Sequence, residues 1–66
     1  MNKKRIGEKL KKLRGEQNLV TVARAVGISP SAISMYENGE RIPRDNVKVK
    51  LAKYYGVSVA SIFFAD

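Results

Sequence analysis

Apolar residues recur along this chain at helical rather than alternating spacing. Ile6, Leu10 and Leu13 fall at i, i+4 and i+7, which puts them on one face of a helix predicted from Lys3 to about Gln17. Asn18 or Thr21 can then cap a second, short helix through Val26, since either side chain can accept a hydrogen bond from an unpaired amide of the first turn. Val22, Ala23 and Val26 form its apolar stripe, and Gly27 suits the left-handed position at which such a helix stops. Ser29-Pro30 marks a sharp new start, with the serine as N-cap and the proline at the first helical position, where a missing N–H costs nothing and φ is already set. This third helix is predicted to run to about Glu37, with Ile33 and Tyr36 inward, Pro30, Ser31, Ser34 and Met35 outward, and Asn38-Gly39 as its stop.

The segment from Glu40 to Arg44 holds Pro43 and several charges and reads as a loop. Asp45 is placed to open a fourth helix, where a carboxylate meets the positive end of the helix dipole. Val47, Leu51 and Tyr54 or Tyr55 supply the buried stripe of that helix, and all three tyrosines, Tyr36, Tyr54 and Tyr55, fall in core registers. Gly56 ends it, and Ser58 can cap a final short helix containing Val59, Ile62 and Phe63. No repeat or alternating run argues for a strand, so the pattern predicts an all-α fold of five short helices, one domain over residues 1–66.

Composition narrows what such a domain does. A chain of 66 residues can bury only roughly 60% of the surface its unfolded form exposes, so packing has to be economical. With no Cys and no His there is no disulfide framework, no thiolate or imidazole metal site and no Cys or His nucleophile. The acidic residues Glu8, Glu16, Glu37, Glu40, Asp45 and Asp66 form no catalytic motif, and no Gly-rich phosphate loop is present. Neither an enzyme nor a cofactor is therefore expected. The longest apolar run, Ile62-Phe63-Phe64-Ala65, is far short of the ~20 residues of a membrane span, and the start lacks a signal-peptide core, so a cytoplasmic protein without a membrane partner is expected. The net charge of +7, with Lys3, Lys4, Arg5, Lys9, Lys11, Lys12 and Arg14 all in the first predicted helix, favours a polyanionic partner.

Two helices joined by a short glycine-containing turn, the second one capped, have the form of a helix-turn-helix, here at about residues 20–37. At this point the chain resembles the phage repressor and Cro-type (XRE-like) helix-turn-helix family. The resemblance rests on Val22-Ala23-Arg24-Ala25-Val26-Gly27-Ile28-Ser29, on Ala32-Ile33-Ser34-Met35-Tyr36-Glu37-Asn38-Gly39 and on Arg41-Ile42-Pro43. Ile6-Gly7, Leu10, Leu13-Arg14, Leu51-Ala52-Lys53, Gly56-Val57-Ser58 and Ile62-Phe63 extend it over nearly the whole chain. It implies a compact, lambda-repressor-like DNA-binding domain, nucleoid-associated, whose partner is double-stranded operator DNA.

By position, the resemblance assigns Pro30, Ser31, Ser34 and Met35 to the base-facing set, and Asn38 and Arg41 to phosphate contacts. Arg44 matches a position that approaches the backbone or minor groove, and Arg14 and Glu37 match a pair that ties the first helix to the end of the third. Lys3 and Lys4 are added as phosphate contacts from a mobile arm. One segment departs from the pattern: the stretch before Val22 is slightly short, and Leu19-Val20-Thr21 stands where the family carries a polar stretch with a phosphate-binding glutamine. Leu19 and Val20 are expected to pack inward.

The base-facing set contains no Arg, Lys, Asn or Gln, so discrimination is expected to lean on thymine-methyl contacts and DNA shape, with affinity mainly electrostatic. One protomer reads too few base pairs to select a locus, which predicts a homodimer on a near-palindromic operator. Val57, Val59 and Phe64 are the interface candidates, and an antagonist protein is a conceivable further partner. Of the other classes, a lipid-surface binder lacks aromatic anchors and an RNA binder lacks a stacking platform. The alternative left standing is a protein-interaction module on a helix-turn-helix scaffold, kept open by Leu19-Val20-Thr21 and the weak reader set.

Overall fold

The computed structural model describes residues 2–64, so the Ala65-Asp66 end named above lies outside the described residues. Five helices follow one another: α1 (Lys3–Arg14), α2 (Leu19–Val26), α3 (Pro30–Glu37), α4 (Asp45–Tyr55) and α5 (Val59–Phe63). No strand occurs among the described residues. α1 lies against α3 and α5, α2 against α3 and α4, and α4 against α5. The buried apolar core is Ile6, Leu10, Val22, Ala23, Val26, Ile33, Tyr36, Val47, Leu51, Ala52, Ile62 and Phe63, with Leu13, Leu19, Tyr55, Val57 and Val59 packed partly buried against it.

Short polar side chains set the helix starts. Asn2 accepts from the amides of Lys4 and Arg5, Asn18 from Val20, Ser29 from Ala32 and Ser58 from Ser61. Of the two candidates for α2, Asn18 is thus the cap. α1 stops at Arg14, short of Gln17. No apolar residue lies between Leu13 and Leu19, so a further turn would bury nothing, and the Arg14 guanidinium closes the corner by donating from Nη1 to the Gln17 carbonyl at 2.8 Å.

Three other expectations are corrected. Lys3 and Lys4 are not an arm but the first turn of α1, held by the Asn2 cap. Leu19 packs against the core, whereas Val20 is 46% exposed, because Leu19 continues the i, i+3, i+4, i+7 stripe of Val22, Ala23 and Val26 and Val20 falls outside it. Tyr55 faces the core, but Tyr54 is 37% exposed and its hydroxyl donates to Gln17 Oε1 at 2.6 Å, tying the end of α4 to the α1–α2 corner.

The α1–α3 seam is unusually close at Gly7. A Cβ there would stand 2.5 Å from the Glu37 carbonyl oxygen and 2.7 Å from that of Tyr36, so only glycine lets the two backbones meet.

Candidate nucleic-acid interface

Between α2 and α3 the chain bends by 109°, within the range of helix-turn-helix units. The turn is built by Gly27, left-handed at φ 84°, which lets the Gly27 and Ile28 amides both return to the Ala23 carbonyl at 2.8 and 3.0 Å. Ser29 then starts α3, with Pro30 at its first position. Ile33, Tyr36 and Glu37 bury one side of α3. Pro30 and Ser31 are exposed and Ser34 and Met35 half-buried, so the remaining face is a strip of short hydroxyl and apolar side chains that permits close approach of a ligand backbone or base edge.

Asn38 is exposed just after α3, and its Nδ2 donates to Ser34 Oγ at 3.3 Å. The chain leaves through Gly39, whose Cβ position is 3.1 Å from Lys4 Cα, so the first turn of α1 sits beside the end of α3 and brings exposed Lys3 and Lys4 near Asn38. Pro43 is buried and pins the following loop, leaving Arg41 and Arg44 exposed on either side of it. Arg44 occupies the N-cap position of α4 without a side-chain capping bond.

Behind this surface lies the ion pair that joins α1 to α3. Arg14 Nε donates to Glu37 Oε2 at 2.7 Å and Nη2 to Oε1 at 3.0 Å, a two-bond fork between side chains 17% and 4% exposed. The hydrogen bond to Glu37 outweighs desolvation and raises the Arg14 pKa above its already high value. Burial pushes the nearby Tyr55 phenol up to about 12, helped by the negative charge of Glu37. Among the described residues, every buried side-chain nitrogen and oxygen has a partner.

Around α5, Val57 and Val59 are partly covered by the core, while Phe64 is 63% exposed. Sequence reasoning missed what lies beneath Phe64. Lys48 is buried, its ammonium 5.7 Å from the Phe63 ring centre and 5.6 Å from that of Phe64, with Asp45 Oδ1 at 3.4 Å. The signal was faint: Lys48 neighbours Val47 and stands four residues before Ala52 on the inward side of α4, but a lysine there reads as solvated. The Tyr54–Gln17 and Ser34–Asn38 contacts were also missed; the second is an i, i+4 pair and was legible in principle.

No group of three or more metal-ligating His, Cys, Asp or Glu occurs among the described residues, and no single helix is long and apolar enough to cross a membrane. No curated protein matches the chain in sequence. Solved structures do match in fold. The SOS-response transcriptional repressor LexA from Eubacterium rectale superposes with a TM-score of 0.86 at 24% identity, over 92% of this chain and 67% of that one. Two structures of the clp gene regulator ClgR from Corynebacterium glutamicum superpose with TM-scores of 0.81 and 0.84 at 23% identity, each over 97% of this chain and over 86% and 70% of theirs. A helix-turn-helix family profile matches residues 10–62, most of the chain and all of the α2–α3 unit. The chain therefore belongs to the helix-turn-helix family, with the phage repressor and Cro-type (XRE-like) fold of DNA-binding transcriptional regulators.

Proposed function

We propose that this chain is a sequence-specific double-stranded DNA-binding repressor that inserts α3 into the major groove and acts as a homodimer on a palindromic operator. The observation that carries the reading is the outward strip of α3, Pro30, Ser31, Ser34 and Met35, set on a capped helix and bordered at its end by Asn38, Lys3 and Lys4. In this reading those four residues meet base edges. Asn38 donates a hydrogen bond to a phosphate, Arg41, Lys3 and Lys4 neutralise phosphates, and Arg44 lies along the backbone or in the minor groove. The Arg14–Glu37 fork holds α3 at its angle and does not touch DNA. Val57, Val59 and Phe64 form the two-fold interface that spaces two recognition helices about one helical turn, ~34–36 Å, apart. Repression follows from occupying the operator and excluding polymerase.

The test is selection of sites from a random duplex library at two salt concentrations, followed by titration of the enriched pool. An inverted repeat with strongly salt-dependent affinity is the expected result, since each neutralised phosphate adds about −0.9 to the slope of log K on log salt. Salt-sensitive binding without any enriched sequence refutes the reading and favours a scaffold that binds proteins.

A further inference from the structure

We infer that the groove between α1 and α5 is a docking surface for an acidic amphipathic segment of another protein, which lays an apolar side chain into the groove and its carboxylates against α1. The inference goes beyond the reading of α3 as the DNA-facing helix and does not rest on it. The groove has a volume of about 320 Å³ and is lined by Lys9, Lys12, Leu13, Val57, Ser61 and Ile62. Leu13 and Val57 are half-buried and Ile62 is buried, so the floor is aliphatic. The Ser61 hydroxyl spends its hydrogen on the Ser58 carbonyl at 2.7 Å, and the Ser61 carbonyl accepts from Lys9 Nζ at 3.3 Å. What the floor offers an occupant is therefore mainly apolar contact.

The rim decides the chemistry of that occupant. Arg5, Lys9 and Lys12 follow at i, i+4 and i+7 along one face of α1, and a second groove, lined by Arg5, Glu8, Lys9 and Lys12, shares two of its residues with the first. Glu8 is the only acid in α1, so this row carries an excess of positive charge. A segment with carboxylates on one face and an apolar residue on the other matches both rim and floor. A second copy of this chain is the rival occupant, since Val57 also belongs to the proposed two-fold interface, but a copy brings the same cations to face the row across the axis. A nucleic acid satisfies the cations and leaves the aliphatic floor without a partner. The groove also stands clear of α3: α1 meets α3 through Gly7 and Arg14, and meets α5 through Lys9 on its other flank. An acidic partner held here leaves α3 open.

Titration of the isotope-labelled full chain with a synthetic peptide, glutamates on one helical face and leucines on the other, tests this by backbone-amide chemical shifts in nuclear magnetic resonance. Saturable shifts are expected, concentrated at the six residues that line the groove. A companion peptide with alanine for every leucine should bind about tenfold more weakly, the loss expected when a leucine no longer fills the floor. The double variant Arg5→Glu, Lys12→Glu should also bind about tenfold more weakly, because each reversal replaces an attraction by a repulsion. Lys50→Glu, Lys53→Glu makes the same change in net charge on α4 and should cost less than about threefold, since salt screens distant charges. Both double variants are first shown to be folded by circular dichroism. Equal losses in the two overturn the inference, as do equal affinities for the two peptides, shifts centred elsewhere, or no shifts up to millimolar peptide. So do shifts of the same six residues when the chain alone is concentrated, which assign the groove to a second copy, or when a random-sequence duplex is added, which assign it to nucleic acid. All of these leave the reading of α3 standing, whose test is site selection.

Discussion

Replacing Gly7 by alanine sets two opposing effects of known sign against each other. In a helix interior the added methyl is favourable by about 0.8–1 kcal/mol, and residue 7 lies in the middle of α1. Against this, the new Cβ would stand 2.5 Å from the Glu37 carbonyl oxygen, 2.7 Å from the Tyr36 oxygen and 2.9 Å from the Glu37 carbonyl carbon. All three are backbone atoms, so no side chain can rotate aside. Ordinary contact begins at 3.4 Å, so α1 and α3 would have to separate by about 0.9 Å along a seam that also holds the Arg14–Glu37 fork, whose bonds of 2.7 and 3.0 Å leave little slack. Overpacking costs about 1–3 kcal/mol where side chains can adjust, and the upper part of that range applies here. The net effect is a loss of about 1–2 kcal/mol. A domain of this length has only about 3–10 kcal/mol of stability in all, and each kcal/mol moves its melting temperature by about 4–8 °C. Thermal and urea denaturation followed by circular dichroism should therefore show Gly7→Ala melting about 5–15 °C below wild type. A variant that melts at or above the wild-type temperature would refute the reasoning, because helix propensity would then outweigh the clash.

The other predictions concern charge. Glu37→Gln leaves the Arg14 guanidinium without its carboxylate and should lower stability toward the lower end of the about 3–5 kcal/mol typical of a broken buried pair, since Arg14 keeps some exposure; the double variant Arg14→Met, Glu37→Met should be more stable in urea than Glu37→Gln alone. Tyr55 holds its proton more tightly folded (about 12) than unfolded (10.0), so stability should be complete below pH 10 and fall as pH rises toward 12. Urea midpoints at both ends of that window should show a smaller fall in Tyr55→Phe; equal falls would exclude Tyr55 as the cause. Arg41→Ala and Arg44→Ala, combined, should reduce the salt slope of DNA binding by about 2 while leaving the melting temperature within a few degrees of wild type, measured by fluorescence titration at several salt concentrations.

What could be read from the sequence is local in its physics. Ser29-Pro30, Gly27 and Ser58 set helix ends through bonds spanning only a few residues, and Ile6, Leu10, Val22, Ile33 and Leu51 show their inward faces by period alone. Hence the five helices, most of their bounds, the core and the outward strip of α3 were all legible. The end of α1 and the exposure of Tyr54 were not, because each depends on which neighbour is present across space; the direction of Val20 follows from the helical period once Asn18 is the cap of α2. A tyrosine at a core register turns outward when a glutamine from the α1–α2 corner meets its hydroxyl. The same holds for Lys48, whose charge reads as solvated until Phe63 of α5 and Phe64 just after it are found against it, and for Gly7, which reads as a weak point in a helix until the carbonyls at the end of α3 are found against it. Caps and periodicity are properties of consecutive residues and survive translation into one dimension; close backbone approach and burial of a charge arise only when groups distant in sequence compete for the same space, and tertiary structure alone decides them.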